Sequence, residues 1–369
     1  MKIPNKKILI LSHTGPHSTF KIGSHHYANM LSELGFSVYY SGISNSYFHK
    51  LKRFIGNEKK GNKKIIDTII AKDIITFLPL TMKETWFKRI VNDFFMSNVI
   101  DNSIFHVDYD IVICDYPFFY PVLKNIKYKK LVYRPTDNYA AMSGEKVRVY
   151  ENKICSEAHR IIATSVVVRD ELIENYGEQL KNKTYVIENG YDQKLFYNKN
   201  ITANRNDCVY IGALDYRFDF IALEHLASKN KKIMFDIYGP LPRDFTSAIK
   251  PIFVKCDNVR FKGELDYAKV PDILNRYKVG LLPLIDNESN KGRSPMKLWE
   301  YLSCGLNVIY SSIEHVSQTP CLYRYDNLLD IDSAFKKAYF ETKAPDNFTS
   351  KIESNSWIGK VNLLLEYIE

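Results

Sequence analysis

Short apolar runs recur along the chain, and most are followed by a glycine or a polar cluster and then by apolar residues at helical spacing. The pattern begins with an apolar run at 7–12, a loop at 13–23 and a helical segment at 24–34, and it continues with a run at 36–40. Continuous apolar runs of this length are typical of strands buried on both faces of a parallel sheet. The order strand, helix, strand therefore predicts an α/β fold with parallel strands.

The same rhythm continues and then restarts, which predicts two sheets. In the first half, further strands are predicted at 110–114, 130–134 and 160–164, with helices at 146–158 and 165–176. In the second half, strands are predicted at 208–212, 232–238, 258–263 and 279–284, with a helix at 270–277. A chain of 369 residues is long for one domain and comfortable for two. We therefore predict two Rossmann-like, doubly wound domains, residues 1–195 with the C-terminal helix 355–369, and residues 196–354.

The most informative stretch is 290–312, which we interpret as loop, helix, turn and strand. Ser294 is expected to cap the helix and Pro295 to occupy its first turn, while Gly305 ends it. A helix N-terminus presents free backbone N–H groups and the positive end of the helix dipole. The loop before this helix is therefore a candidate anion site.

Charged side chains around this helix start would suit a nucleotide diphosphate. Gly292, Arg293 and Lys297 lie on or next to it, and Glu300 lies one turn further, where a carboxylate could accept from two ribose hydroxyls. From these residues alone, a basic cap on an ordinary helix explains the pattern equally well. The preceding apolar run at 279–284 favours a ligand site, because it would deliver the loop to the carboxyl edge of a sheet.

The order VGLLPL, polar loop, SPMKLWEYLSCGLNVIYS resembles the donor-binding segment of GT-B glycosyltransferases. Its Met-Lys pair is similar to that of GumK-like bacterial glucuronosyltransferases and related family 4-like enzymes. The resemblance implies two Rossmann-like domains facing a cleft, with this helix holding the diphosphate and ribose of a sugar donor. Retaining members usually carry a Glu seven residues before the equivalent of Glu300. No Glu is found from Ser289 to Trp299, which counts against a retaining mechanism.

The resemblance extends the candidate site to strand ends and glycine turns. The predicted donor-binding set is Gly212, Tyr238, Phe261, Lys262, Gly263, Arg293, Ser294, Met296, Lys297 and Glu300. The backbone at 261–263 could read a uracil-like base, although a simple strand exit explains it equally well. In the first loop, Gly15 and Gly23 are assigned to contact with the acceptor or the donor phosphate. That loop has no GxGxxG, so a dinucleotide site is not predicted.

Three residues that follow predicted strands are candidates for catalysis. Asp137 follows the strand at 130–134, and in GumK-like enzymes an aspartate after such a strand is the proposed base. The resemblance thus implies that Asp137 deprotonates the acceptor hydroxyl; the alternative is that it merely caps the next helix. His13, directly after the first strand, and Asp115, after the strand at 110–114, are the next candidates.

Two features of the sequence could hold a metal, and we interpret neither as a metal site. Asp108 and Asp110 form a DxD pattern, but it precedes its strand and is interpreted as a solvated turn. The six cysteines are scattered without a CxxC pair, so we expect reduced, mostly buried thiols and neither disulfides nor a zinc site. The reaction scheme requires no metal and no cofactor, because the nucleotide sugar is a co-substrate.

Charge points to an anionic partner. The net charge is +9, and residues 50–64 carry seven Lys or Arg and one Glu, a local charge of 7 − 1 = +6. An amphipathic, aromatic helix is predicted from Trp86. A solvated loop beside a core-facing helix is one interpretation. The other is contact with an anionic membrane, where each basic residue contributes ~1 kcal/mol. No nucleic-acid-binding motif is found, so a nucleic-acid partner is not predicted.

The resemblance therefore implies a glycosyltransferase of bacterial surface polysaccharide synthesis. It would move a sugar from a UDP-linked donor to a hydroxyl of a lipid-linked or polymeric saccharide, with inversion. The alternatives are a retaining GT-B hexosyltransferase, a sugar-nucleotide epimerase and a catalytically silent nucleotide-sugar-binding scaffold. No signal peptide or spanning segment is visible, so the expected location is the cytoplasm, at the inner face of the plasma membrane.

Overall fold

The computed structural model describes residues 6–18, 21–42, 45–46, 63–78, 86–98, 103–140, 144–200, 205–287, 290, 292–313, 316, 319–341 and 352–369. The chain divides into two compact units. Unit 1 comprises Met1–Glu188 and Lys360–Glu369, and unit 2 comprises Asn189–Gly359. No helix within the described ranges is long and apolar enough to cross a membrane.

Unit 1 contains a seven-stranded, parallel sheet with the order β4-β2-β1-β6-β7-β8-β9, and β3 pairs separately with β5. Its strands are β1 Lys7–Leu11, β2 Ser37–Ser41, β3 Asn45–Ser46, β4 Ile70–Ala71, β5 Ile75–Thr76, β6 Asp108–Cys114, β7 Lys127–Tyr133, β8 Arg160–Ala163 and β9 Thr184–Val186. Strand β1 is paired with β2 on one side and β6 on the other. The winding direction reverses there, and such a switch point is where open α/β sheets bind ligands.

Five α-helices in the described residues lie wholly within unit 1, and all except the short helix after β6 were predicted. They are α1 Gly23–Glu33, α2 Trp86–Asn98, α3 Tyr120–Leu123, α4 Arg148–Glu157 and α5 Val166–Tyr176. Ser165 caps α5, because its hydroxyl accepts the N–H of Val168 at 3.2 Å. Gly35, with φ of +94°, ends the turn after α1.

Unit 2 contains a six-stranded, parallel sheet with the order β12-β11-β10-β13-β14-β15. Its strands are β10 Cys208–Ile211, β11 Phe235–Tyr238, β12 Val259–Gly263, β13 Val279–Leu282, β14 Asn307–Tyr310 and β15 Leu322–Arg324. Its helices are α6 Phe220–Lys229, α7 Thr246–Lys255, α8 Val270–Leu274, α9 Met296–Ser303 and α10 Ile331–Phe340. The switch point lies between β10 and β13.

The last helix, α11 Trp357–Ile368, begins in unit 2 and ends in unit 1. In unit 1, the Lys130 ammonium donates to the carbonyl of Ile368 at 2.6 Å, and Arg160 Nε donates to the carbonyl of Tyr367 at 2.9 Å. The Tyr367 ring also stacks on Tyr185 with centroids 4.2 Å apart. The C-terminal residues are therefore a structural part of unit 1.

The predicted pair of doubly wound α/β sheets is confirmed. The interpretation of Asp108 and Asp110 as a turn is wrong, because both residues lie inside β6. Tyr109 between them is buried and donates its hydroxyl to the carbonyl of Ile104 at 3.1 Å. Strand alternation then turns both carboxylates away from the core, and Asp110 accepts from Lys129 at 2.7 Å. The predicted burial of most cysteines is confirmed, since all except the partly exposed Cys321 are buried.

Candidate active site

A row of glycines lies at the carboxyl edge of the unit 2 sheet. Gly212, Gly239 and Gly263 end or directly follow β10, β11 and β12. The N–H of Gly212 donates to the carbonyl of Tyr238, and the N–H of Gly239 donates to the carbonyl of Gly263, both at 2.8 Å. Gly239 has φ of +134°, and a Cβ there would collide with the Gly212 carbonyl. Only glycine allows the backbones to approach this closely.

Lys297 extends to this glycine row. A Cβ on Gly212 would collide with Lys297 Nζ, so the missing side chain makes room for the ammonium. Nζ lies 5.2 Å from the ring centre of Tyr210. Within the described part of the chain, no hydrogen-bond acceptor or carboxylate contacts Nζ. Burial, and next the positive charge of Arg293, lower the pKa of Lys297 to about 8. A bound anion would offset this destabilisation of the charged ammonium.

The helix that carries Lys297 begins one residue later than predicted. Pro295 is its N-cap residue, and no described side chain caps the helix. Ser294 was predicted to be the cap, but its hydroxyl accepts the N–H of Asn189 at 2.8 Å, and its carbonyl accepts from Asn189 Nδ2 at 2.9 Å. The capping prediction is wrong because Asn189 engages this serine. Among the described residues, no side chain accepts from the first-turn N–H groups of α9 as a cap.

Glu300 lies one turn after Lys297 and is 5% exposed. The hydroxyl of Tyr267 donates to its Oε1 at 2.9 Å. Its neighbour Tyr301 is buried, accepts the N–H of Ile211 at 2.8 Å and lies where a Cβ on Gly280 would collide with its ring. Tight packing on β10 and β13 thus fixes how α9 presents its two charged residues. Leu298 and Leu302 are buried with Tyr301, as the predicted helical face requires.

Sequence reasoning missed Arg217 and Asp215, which follow β10. Arg217 Nε donates to Asp215 Oδ1 at 2.8 Å, and its Nη2 donates to Oδ2. Both groups act on Lys297, since Arg217 lowers and Asp215 raises its pKa. Asn290 holds the adjoining loop, donating to the carbonyl of Ile285 at 2.8 Å and to that of Arg217 at 3.3 Å. The glycine turn at Gly212 could have indicated these two residues, because residues that follow such a turn lie at the same carboxyl edge of the sheet.

Three members of the predicted donor set have side chains engaged elsewhere. The hydroxyl of Tyr238 lies 3.3 Å from that of Tyr277, and Lys262 Nζ lies 4.0 Å from Asp236 Oδ2. The Phe261 ring lies beside the ring of Phe253 in α7, with centroids 6.5 Å apart. Gly263 belongs to the glycine row described above, whereas Met296 is the first residue of α9 and Arg293 lies in the loop before it.

The carboxyl edge of the unit 1 sheet brings together all three predicted catalytic residues. Asp115, after β6, is fully buried and is bound by Arg134, whose Nε donates to Oδ1 at 2.9 Å and whose Nη2 donates to Oδ2 at 2.8 Å. The hydroxyl of Ser24 also donates to Oδ2. Both oxygens are occupied, so this carboxylate is not presented to a ligand.

His13 and Asp137 lie at the same edge and are less buried than Asp115. Burial lowers the pKa of His13, opposed by the negative charges of Asp115 and Asp137. Its Nδ1 is enclosed and has no hydrogen-bond partner among the residues that the structure describes. Asp137 accepts from Thr136 Oγ1 at 3.3 Å. A neutral imidazole therefore lies within electrostatic range of a partly exposed carboxylate.

The first loop is held by His25, which the sequence did not single out. Its Nδ1 accepts the N–H of Ile22 at 3.1 Å, which makes Nε2 the protonated nitrogen, and Nε2 donates to the carbonyl of Gly15 at 3.0 Å. Burial is the main cause that lowers the pKa of His25 to about 4, so the ring stays neutral near pH 7. Gly23 is the first residue of α1. The position that requires a glycine is Gly42, where a Cβ would lie 2.6 Å from Gly15 Cα.

Comparisons with known proteins agree with this architecture. A family model described as glycosyl transferase-like matches residues 221–347, which lie in unit 2. The putative teichuronic acid biosynthesis glycosyltransferase TuaH of Bacillus subtilis is 23% identical over 243 residues, which cover 59% of this chain and 61% of that relative's length. The chain thus matches about three-fifths of that relative.

Solved structures resemble the whole chain. A glycosyltransferase from Rickettsia africae is similar with a TM-score of 0.69 and 16% identity, over 99% of this chain and 98% of that one. Anabaena HepE in complex with UDP is similar with a TM-score of 0.67 and 13% identity, over 98% of both chains. The fold of the chain is therefore that of GT-B glycosyltransferase structures. Within the residues that the structure describes, no three His, Cys, Asp or Glu side chains are grouped as ligands for a metal ion.

Proposed function

We propose that this GT-B protein transfers a sugar from a UDP-linked donor to a hydroxyl of a lipid-linked or polymeric saccharide during bacterial surface polysaccharide synthesis, with inversion at the sugar carbon. The observation that carries the proposal is Lys297, whose ammonium reaches a glycine row at a sheet edge with no described acceptor. The relative TuaH, named for teichuronic acid biosynthesis, and the UDP complex of HepE support the substrate classes.

In this proposal unit 2 binds the donor. Lys297, Arg293 and the uncapped first turn of α9 contact the diphosphate, because all of them offer positive charge or N–H donors. Glu300 accepts the ribose hydroxyls one turn further along. The glycines at 212 and 239 keep side chains away from the edge, so that a phosphate can approach the backbone.

Unit 1 supplies the base. Asp137 takes the proton of the acceptor hydroxyl as its oxygen forms a bond to the sugar carbon, while the bond from that carbon to the diphosphate breaks. The electron pair leaves with the diphosphate, whose growing charge Lys297 and Arg293 stabilise. Asp115 cannot replace Asp137, because Arg134 and Ser24 occupy its oxygens.

Donor binding is tested by thermal shift of the full chain with a panel of nucleotide sugars and nucleoside diphosphates. We expect UDP to stabilise the parent and to lose most of its effect in Lys297→Ala, since a charge-assisted phosphate contact is lost. Lys255→Ala is the matched control, because Lys255 is a lysine of unit 2 outside the predicted donor set, and its ammonium pairs with Glu224 at 2.8 Å. If UDP raised the melting temperature of a folded Lys297→Ala protein as much as that of the parent, the assignment of Lys297 to the donor site would be wrong.

An assay of sugar transfer to an acceptor distinguishes an enzyme from a catalytically silent scaffold. Both would bind UDP through Lys297, but only the enzyme needs a base in unit 1. Transfer of labelled sugar to a saccharide acceptor that stops when Asp137 is changed supports the enzyme. Binding without transfer across the panel of donors and acceptors supports the scaffold.

Peripheral attachment to a membrane forms part of the proposal and is supported by α2. Phe87, Ile90 and Phe94 are 65%, 46% and 58% exposed, and their spacing places them on one face of the helix. A flank of the helix is anchored, since Phe95 stacks on Phe77 with centroids 4.0 Å apart. The basic segment at 50–64 lies largely outside the described residues, which include 63 and 64 of it.

The membrane proposal is tested by sedimentation with anionic and neutral liposomes. We expect binding to the anionic vesicles to fall as salt rises, because attraction to the head groups is screened over about 8–10 Å at physiological ionic strength. Phe94→Ser should weaken binding, whereas Leu329→Ser, at a 94% exposed leucine of unit 2, should not. Equal binding to both vesicle types would contradict the electrostatic part.

A further inference from the structure

Tyr267 contacts Glu300 although 33 residues separate them in the chain. It lies in the short turn Tyr267–Lys269 between β12 and α8, where the side chain of Asp266 accepts the N–H of Ala268 at 3.0 Å. Its hydroxyl donates to Glu300 Oε1 at 2.9 Å, and its ring packs edge-on against the buried Phe196 with centroids 5.5 Å apart. The position of the phenol is therefore fixed by its turn and by Phe196, and its hydroxyl points toward the carboxylate of Glu300.

The direction of this hydrogen bond is fixed by protonation. Burial, and next the negative charge of Glu300, raise the pKa of Tyr267 well above its ordinary value, so the phenol keeps its proton and acts as the donor. Glu300 is nearly buried, and a buried carboxylate is costly unless donors satisfy it. Because a carboxylate accepts at both oxygens, Glu300 can hold Tyr267 and a pair of ligand hydroxyls together.

We infer that Tyr267 is a positioning residue that orients Glu300 toward the ribose and thereby makes the donor site select ribonucleotides over 2′-deoxyribonucleotides. The inference rests on the proposed function, in which Glu300 receives the ribose hydroxyls. Without the phenolic donor the carboxylate loses the hydrogen bond that orients its Oε1. A ribonucleotide then loses the benefit of a preoriented acceptor, whereas a 2′-deoxyribonucleotide, which has one hydroxyl fewer, loses less.

The test is calorimetric titration of the full chain with UDP and with 2′-deoxy-UDP. A hydrogen bond to a charged group predicts that the parent prefers UDP by about tenfold or more. In Tyr267→Phe the preference should shrink to about twofold while the melting temperature stays near that of the parent. Tyr277→Phe is the matched control, because its hydroxyl donates to the buried Asp236 at 2.6 Å in the same unit. That variant should keep the parent's preference.

A double-mutant cycle separates positioning from general packing. In a Glu300→Gln background, Tyr267→Phe should change the ratio of the two affinities no further, because its effect acts through the carboxylate. An unaltered preference for UDP in folded Tyr267→Phe would overturn the inference but not the proposed donor site. Equal affinity of the parent for UDP and 2′-deoxy-UDP would have the same consequence. If the parent binds neither nucleotide, the proposed UDP site fails and the inference fails with it.

Discussion

Lys297 and Arg134 are cations at the carboxyl edges of the two sheets, and their surroundings differ. Arg134 in unit 1 is 1% exposed and is bound by Asp115 through two hydrogen bonds of 2.9 and 2.8 Å. Lys297 in unit 2 contacts glycine backbone and the face of Tyr210, and no described carboxylate pairs with it. A carboxylate of the protein balances the charge of Arg134, although its buried Nη1 has no described hydrogen-bond partner, whereas no described carboxylate balances the charge of Lys297.

The difference assigns roles to the acidic residues as well. A buried ion pair whose partners satisfy each other contributes a fixed local structure, and removing one member leaves an uncompensated charge. Asp115 is such a partner. Asp137 is partly exposed and accepts from Thr136, so a ligand can approach this carboxylate. The contrast therefore supports a structural role for Asp115 and the proposed role of Asp137 as the base at the same sheet edge.

The largest expected effect comes from Asp137→Asn. This change keeps the shape and removes the basicity, so transfer should fall by at least ~10²-fold while UDP affinity and melting temperature stay near the parent values. Single-turnover transfer, calorimetry and thermal unfolding measure the three quantities. Asp170→Asn, at an exposed aspartate of α5, is the control. A helix-capping aspartate would tolerate the change, because Asn caps nearly as well. Near-parent turnover would remove Asp137 from the mechanism and leave His13.

Asp115→Asn should show the opposite behaviour, with a primary effect on stability. Leaving the fully buried Arg134 uncompensated is expected to cost about 3–5 kcal/mol, measured by denaturant unfolding of the full chain. Asp236→Asn in unit 2 is a matched control, since its partner Arg260 has a side chain that is 43% exposed and can be solvated by water. A smaller loss is expected there. A variant at Asp115 with parental stability and no transfer would instead place Asp115 in the chemistry.

The smallest effect is the pH dependence of UDP binding. In the proposed function the protonated form of Lys297 binds the diphosphate, and the pKa of Lys297 is lowered to about 8 in the free protein. Affinity should thus be insensitive to this group below about pH 7 and should fall by up to about tenfold per pH unit above pH 8. Calorimetry of the parent against Lys297→Ala isolates this contribution. Parallel pH profiles for the two proteins would show that the lysine charge does not contribute.

Local patterns in the sequence were enough to predict most strands and helices. Apolar runs predicted β13 and β14, and Gly305, with φ of +82°, ended α9 where expected. The cap at Ser294 failed because its partner, Asn189, is 105 residues away in the chain. A capping rule considers neighbours along the sequence and cannot anticipate a competing donor from another segment.

The candidate site was predictable where its residues follow strand ends. His13, Asp115 and Asp137 were brought to one edge because parallel strands share that edge, and the position of each was readable from its strand. Their roles were not readable, because Arg134 binds Asp115 across 19 residues of sequence. The pairing of Tyr267 with Glu300 was hidden for the same reason. Contacts between separate elements depend on packing, which no single segment encodes.

The path of α11 has a consequence for the order in which the protein is made. Lys130 and Arg160 bind carbonyls of the last three residues, and these belong to unit 1. A ribosome synthesises the first 188 residues of that unit long before residues 360–369, since chains emerge from the N-terminus. All of unit 2 is synthesised in between, so its strands are complete before the last residues of unit 1 are made. The unit that is begun first is thus the one that is finished last.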